Sequence, residues 1–535
     1  MPGADISVES LTWRPVRRRE PVLSTLCLHI PAGQRVIVAG PSGAGKSTLL
    51  RAIAGLLLTS GQGDLDGAVL VGGRAPSDAP GRVGFLMQDP LAGIVAETVG
   101  RDVAFGLENL GVWRDEIWPR VTEALTQSGF PYGLQHPTSA LSGGESQRLA
   151  LAGSLVMGSN VVLLDEPTSM LDPIAAAAVR QAVRRDATTR GATTVIVEHH
   201  LEPWLDFADR VIVLGRAGDI IADGEPTPVL EQQGDFLAAE GVWVPGLGAP
   251  APQSIDPEVV GPWEAGPPQL VRAEDVRVEL KARLGGRRLA PTLALDHASA
   301  TLVAGQVLAV TGPSGAGKST LVAVLAGLLR PTTGQVTAAP ELATKRGTHP
   351  WRWSSTDLAA RLGWVPQIPE HGVVAKTVRD EVLASCRACG RDPHRAAERA
   401  DALLDAFDLG RLAGASPYHL SGGEQRRLMV AAALAHGPCG VMLDEPTVGQ
   451  DRRTWAAVVG ALDSARSAGS GIAVATHDGL AVDVLADSVL PLSGGVSDGV
   501  SGGMSAGASD HPPGPAPSSA AGRTSRPVPG PVSPR

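Results

Sequence analysis

Little in this sequence invites covalent cross-linking, charge-driven binding or insertion into a bilayer. Among 535 residues there are 4 cysteines, Cys27, Cys386, Cys389 and Cys439. They are too few for a disulfide framework in so long a chain, and suit a reducing compartment as buried thiols. Basic residues are not in excess: Lys and Arg number 46 against 55 Asp and Glu, a formal net charge of −9. That balance argues against broad capture of nucleic acid, which needs a basic face. The opening Met-Pro-Gly-Ala-Asp-Ile lacks the basic stretch and apolar core of a secretory signal, so export is not expected. Every apolar run is cut by charge, Gly or Pro before it reaches the roughly 18–20 residues that cross a bilayer. A membrane span, if the protein works at one, is expected from partner subunits.

What is present is globular material, 43% hydrophobic and 19% charged, long enough for two or more domains. The chain repeats itself. Gly-Pro-Ser-Gly-Ala-Gly-Lys-Ser-Thr stands at 40–48 and 312–320, Leu-Ser-Gly-Gly-Glu at 141–145 and 420–424, and Leu-Asp-Glu-Pro-Thr at 164–168 and 443–447. A tandem duplication follows. We expect a first domain over 1–240, a Pro- and Gly-rich linker over 241–268 that is poorly suited to a long helix, and a second domain over 269–492. A tail over 493–535, built of Gly, Ser, Pro and Ala, buries too little apolar surface to order itself. Within the first copy, buried-strand patterns at 35–39, 161–164 and 193–197 alternate with helical patterns such as 47–58. The fold class expected is α/β, a mainly parallel sheet flanked by helices in each copy.

Each glycine-rich segment follows an apolar strand pattern and opens a helical one. In the first copy it is Gly40, Pro41, Ser42, Gly43, Ala44, Gly45, Lys46, Ser47 and Thr48; in the second, Gly312, Pro313, Ser314, Gly315, Ala316, Gly317, Lys318, Ser319 and Thr320. Glycines let consecutive backbone N–H groups face phosphate oxygens, the helix start adds its positive dipole end, and Lys46 or Lys318 reaches the β- and γ-phosphates. Ser47 and Ser319 bring hydroxyls to Mg²⁺. Downstream, Asp165-Glu166 and Asp444-Glu445 end apolar strand patterns: the aspartate is read as a Mg²⁺ ligand and the glutamate as the base that polarises the attacking water.

Together these segments resemble the ATP-binding cassette (ABC) ATPases over nearly all of the chain except linker and tail. The resemblance implies P-loop NTPase domains, each with a helical subdomain carrying the signature, and ATP with Mg²⁺ as cofactors. By it, Ser142, Gly143 and Gly144, and Ser421, Gly422 and Gly423, contact the γ-phosphate of ATP held by the opposite domain. Gln88 and Gln367 touch Mg²⁺ or water, Asp172 and Asp451 communicate between the domains, and His199 and His477 sense the γ-phosphate. Strand spacing favours His199 over His200. The implied sites are composite, Lys46, Glu166 and His199 facing Ser421 and Gly423, and Lys318, Glu445 and His477 facing Ser142 and Gly144. Neither copy lacks a motif that would mark its site as degenerate. The family usually stacks an aromatic on adenine; Trp13 is the nearby candidate in the first copy, with core packing as its alternative, and 276–284 offers no equivalent.

The stretch from Gln88 to Asn109 looks like the ATPases of energy-coupling-factor importers for vitamins or transition-metal ions, and Thr98 and Thr377 keep equal spacing after Gln88 and Gln367. That likeness implies integral membrane partners, a coupling protein and a substrate-binding subunit, and a place on the cytoplasmic face of the plasma membrane. The alternatives are an exporter ATPase, or a soluble tandem cassette protein acting on ribosomes or DNA. Against the latter stand the Pro- and Gly-rich linker and the absence of a second CxxC to join Cys386-Arg-Ala-Cys389 in a zinc site.

Overall fold

The computed structural model describes residues 3–16, 20–60, 63–169, 171–280, 283–284, 287–288, 291–494, 496–497 and 501–502. In the first half, apolar-rich runs form a six-stranded sheet in the order Val83–Leu86, Val161–Asp165, Thr193–Val197, Arg35–Ala39, Arg210–Leu214, Ile220–Gly224. The first five strands are parallel and the last antiparallel. Val161–Asp165 and Thr193–Val197 are buried at every position, as unalternating apolar runs demand of central parallel strands. Beside this sheet lies an antiparallel one, Leu23–Ile30, Ile6–Pro15 and Gly63–Val71.

The second half repeats the plan. Leu362–Val365, Gly440–Asp444, Gly471–Ala475, Val307–Thr311 and Ser488–Ser493 run parallel, and the antiparallel strands Gln269–Leu280, Thr292–Val303 and Thr333–Ala338 pair with one another. Each half also carries a group of three helices, which in the second, Val378–Ala388, Pro393–Ala406 and Gly422–Ala435, shares one core with the parallel strands. Those of the first, Val99–Asn109, Arg114–Gln127 and Gly143–Val156, enclose their own core of Val99, Val103, Leu107, Val121, Leu149 and Val156.

Two expectations need amendment. The helical pattern at 47–58 is broken: Lys46–Ile53 stops at Gly55, whose φ of 74° is left-handed, and Leu57–Ser60 starts anew. Gly55 N–H donates to Ala52 and Leu56 N–H to Arg51, a glycine-terminated helix end that an apolar pattern alone does not reveal. Strand pairing also enters the segment expected to be disordered, since Val496–Ser497 and Ser501–Gly502 pair with Ser488–Ser493. The rest of the tail, 503–535, lies outside the described residues.

Residues 241–268 contain only a short helix, Pro257–Val260, yet they are fastened along the second half. Arg452 N–H donates to Gly241 O (2.9 Å), Trp243 Nε1 to Gln450 O (2.9 Å), Gln253 N–H to Ala456 O (2.9 Å), Ile255 N–H to Ser464 Oγ (3.1 Å) and Trp263 N–H to Gly437 O (3.0 Å). A non-helical segment lying on a core must find outside partners for its backbone groups, and these contacts supply them. The fit is tight: a methyl at Gly460 would stand 1.9 Å from Gln253 O.

Candidate ATP-binding and hydrolysis sites

Each glycine-rich loop joins the C-terminal end of a parallel strand to a helix. Gly40, Gly43 and Gly45 have φ of 142°, 82° and 90°, and a Cβ at Gly40 would meet Leu214 O at 2.4 Å, so the loop can take this path only without side chains there. Lys46 Nζ donates to Gly40 O (2.8 Å) and Pro41 O (3.0 Å), and Lys318 Nζ to Gly312 O (2.9 Å) and Pro313 O (3.2 Å). Burial pushes the Lys46 ammonium down, opposed by Glu166, Asp451 and Asp165.

The two loop serines meet the strand-end aspartates, Ser47 Oγ donating to Asp165 Oδ1 (3.0 Å) and Ser319 Oγ to Asp444 Oδ1 (2.9 Å). Burial, with the adjacent Glu166, raises Asp165 to about 7; burial likewise raises Asp444 to about 6. Glu166 and Glu445 sit in left-handed backbone, φ 51° and 52°. That conformation is costly for a side-chain-bearing residue and is characteristic of functional positions. Glu166 Oε1 accepts from Gln88 Nε2 (3.0 Å) and lies 3.2 Å from His199 Nε2. Burial alone would raise the Glu166 carboxyl; His199, Lys46 and Gln88 outweigh it and hold it below its usual value. In the second half, His477 Nδ1 is 2.8 Å from Glu445 Oε1, and Thr476 Oγ1 donates to Glu445 Oε2 (3.1 Å). Burial works to lower His477, but the Glu445 hydrogen bond wins and raises it.

Ser142 and Ser421 cap the helices Gly143–Val156 and Gly422–Ala435, each in a capping box closed by Glu145 or Glu424. The signature glutamate is thus occupied with its own helix end, which aims the N-terminal turn outward. A methyl at Gly423 would stand 3.1 Å from Ser42 Oγ, and one at Gly144 3.5 Å from Ser314 Oγ, so each signature faces the other half's glycine-rich loop. Gly422 lies by Gln88 and Gly143 by Gln367, at 3.5 Å and 3.7 Å from their side-chain nitrogens by the same measure. Asp451 Oδ2 accepts from Ser42 N–H (2.6 Å) and Asp172 Oδ2 from Ser314 N–H (3.1 Å), pinning the halves head to tail.

Trp13 is not brought to this site. It is 5% exposed, in the core of the antiparallel sheet with Leu11 and Leu23 and against Gly63. A register shift in the strand decides this: Ile6 and Val8 point inward, the irregularity between Val8 and Leu11 moves the alternation by one residue, and Leu11 and Trp13 then point inward where unbroken alternation would have chosen Thr12. The adenine-stacking candidate is therefore a core residue.

Sequence reasoning missed several neighbours. Gln147 Nε2 and the Arg426 guanidinium, at equivalent positions of the two signature helices, donate to the backbone carbonyls of Glu166 and Glu445. Glu198 occupies the place that Thr476 has in the second half; it is buried and accepts from Thr168 N–H (3.1 Å) and Thr168 Oγ1. Laying the repeats side by side would have exposed both departures.

Burial, reinforced by Glu166, raises the Glu198 carboxyl from 4.5 to about 7. An acid protonated more readily folded than unfolded costs nothing below the unfolded value; its cost grows from there to the folded value and is constant above. Glu198→Gln is expected to leave stability unchanged near pH 4.5 and to raise it by on the order of 2–3 kcal/mol at pH 8. Urea midpoints across that range measure it; no gain at pH 8 would contradict the assignment.

Strand–loop–helix phosphate cradles, paired strand-end carboxylates and two head-to-tail composite clefts define a tandem P-loop ATPase. The ABC transporter family model matches residues 23–169 and 295–448, and the chain belongs to that family, with two fused ATP-binding domains. It is 31% identical over 500 residues to the putative HMP/thiamine import ATP-binding protein YkoD of Bacillus subtilis, covering 91% of this chain and 89% of that one. It is 32% identical over 540 residues to a putative ABC transporter ATP-binding protein of Streptomyces coelicolor, covering 90% and 91% respectively. The solved structure of an RNase-L inhibitor shares the fold over 92% of this chain, with a TM-score of 0.54 and 22% identity. The protein is an ATPase.

Proposed function

We propose that this ATPase powers a membrane importer of the energy-coupling-factor type, for a vitamin or transition-metal ion, by closing its two halves on ATP. The supporting observation is the pairing of each glycine-rich loop with the opposite half, through Asp451 and Asp172 and beside the opposite signature, in a chain whose tandem layout is shared with a relative named as an import ATP-binding protein. Among the described residues no helix is long and apolar enough to cross a membrane, so the transported molecule would pass through partner subunits. Near Gln88 and on the helical subdomain, Val95, Phe105 and Trp113 are exposed by 58%, 46% and 80%, as is Val374 by 78% in the second half. Apolar side chains on that face suit a docked membrane subunit at the cytoplasmic surface.

In this reading Lys46 and Lys318 bind the β- and γ-phosphates, and the opposite Ser421–Gly423 and Ser142–Gly144 turns close on the γ-phosphate. Glu166 and Glu445 take a proton from the attacking water while His199 and His477 orient them. The oxygen donors Ser47, Asp165 and Gln88, and Ser319, Asp444 and Gln367, fit Mg²⁺, a hard cation; the buried Asp165 Oδ2 has no protein partner and is free to serve it. Mg²⁺, when bound, screens phosphate charge. Purifying the tagged chain from membranes should bring down a coupling protein and a substrate-binding integral subunit. Recovery of ribosomal or DNA-repair proteins in their place would overturn the importer reading.

A further inference from the structure

The two composite sites differ at a residue that neither the shared motifs nor the family resemblance singles out. After Leu-Asp-Glu-Pro-Thr the first half continues Ser169-Met170-Leu171-Asp172 and the second Val448-Gly449-Gln450-Asp451. The second of these loops lies across the first half's site. Asp451 Oδ2 accepts from Ser42 N–H (2.6 Å), and a methyl at Gly449 would stand 3.1 Å from Glu166 Oε2. Gln450 lies between those two contacts, 2% exposed, its backbone carbonyl held by Trp243 Nε1 at 2.9 Å.

Its side chain has no hydrogen-bond partner at either amide atom, and Ser42 Oγ is likewise buried without one. Both stand close to one point, the Cβ position of Gly423, with Ser42 Oγ at 3.1 Å and Gln450 Oε1 at 3.7 Å. A buried amide without partners is costly, and this one lies where the first glycine-rich loop meets the opposite signature. Its NH₂ group carries two donors and a phosphate oxygen only accepts. At the second site the same position is Leu171, 3% exposed, whose Cδ2 is 3.2 Å from the Cβ position of Gly144. There this side chain is apolar and offers phosphate no hydrogen bond, which leaves Ser314 Oγ, 3.5 Å from the same point, without the companion that Ser42 has.

We propose that the side-chain amide of Gln450 is a γ-phosphate ligand of the first composite site, which for that reason discriminates ATP from ADP more strongly than the second. The proposal rests on the head-to-tail reading of the two sites. It requires the γ-phosphate, so loss of the amide weakens ATP and not ADP.

The test uses the full chain with one site disabled at a time, Lys318→Ala leaving the first and Lys46→Ala the second. Calorimetric titrations with Mg²⁺ use the imido analogue AMP-PNP and, separately, ADP. In the Lys318→Ala background, Gln450→Leu is expected to weaken AMP-PNP by about tenfold and ADP by less than about twofold, while the Lys46→Ala background changes by less than about twofold for both. Gln450→Met, nearly isosteric and without donors, should do the same and serves if the leucine variant does not fold. Equal weakening of both nucleotides would show a packing role and overturn the proposal, as would no change in either. Adding Lys46→Ala to the Lys318→Ala chain should abolish AMP-PNP binding; binding that persists overturns the phosphate-loop reading itself, a failure distinguishable from that of Gln450.

Discussion

Replacing Glu166 and Glu445 together by glutamine is expected to lower ATP turnover by about 10²- to 10⁴-fold while ATP binding persists. The carboxylates stand where a base is needed, beyond the phosphate loops, each within hydrogen-bond reach of a histidine, at 3.2 Å from His199 and 2.8 Å from His477. Glutamine keeps the shape and can still accept from Gln88, but it cannot take a proton. The Lys46 and Lys318 cradles, made by loop backbone and helix start, are untouched, so nucleotide affinity is retained. The left-handed backbone at both glutamates supports a local role, since such a conformation is held in place by its surroundings. Unchanged steady-state phosphate release in the double variant would refute the base assignment.

The second large effect is a crossed one. Ser421→Arg should disable the site that holds Lys46 and Glu166, not the one that holds Lys318 on its own half. The distances leave no room for it: Gly423 and Ser42 approach so closely that a single methyl would meet Ser42 Oγ at 3.1 Å. Arginine at the helix cap also removes the hydroxyl that accepts from Glu424 N–H (3.3 Å), loosening the turn that faces the phosphate. With Glu445→Gln silencing the second site, Ser421→Arg should cut the remaining turnover by on the order of 10²-fold, the scale of losing preorganised donors to developing charge. With Glu166→Gln silencing the first, it should change turnover by less than about twofold. The reverse pattern would mean that each half completes its own site, contrary to the Asp451–Ser42 and Asp172–Ser314 bonds.

The parts legible in the sequence are those where local chemistry has one use. Gly40 to Thr48 could be read as a phosphate loop because its glycines and lysine make sense in little else, and the uncharged runs at 161–164 and 193–197 read as buried strands. Trp13 was ambiguous for the opposite reason. An aromatic beside a strand suits a core or a base equally, and only the pairing of Ile6–Pro15 with Leu23–Ile30 and Gly63–Val71 turned it inward. Residues 241–268 were similarly underdetermined: Pro and Gly exclude a long helix but do not say what the extended chain will lean on, and some two hundred residues further on Trp243 finds Gln450, just before the helix Arg452–Ser467, and Gln253 finds Ala456 on that helix.

By itself, then, the sequence determined that there are two α/β ATP-binding halves, where their phosphate loops, strand-end carboxylates and signatures lie, and which strands are buried. Those features depend on neighbours in the chain, where steric and hydrogen-bonding rules act at short range. Only the tertiary structure decided that Glu198 crowds Glu166, that Trp13 belongs to the core, and that Gln450 and Leu171 make the two clefts unequal. The first two depend on how distant segments of the first half pack together, and the third on which surfaces meet where the two halves touch; a desolvated side chain's partners are chosen at such contacts and not along the chain.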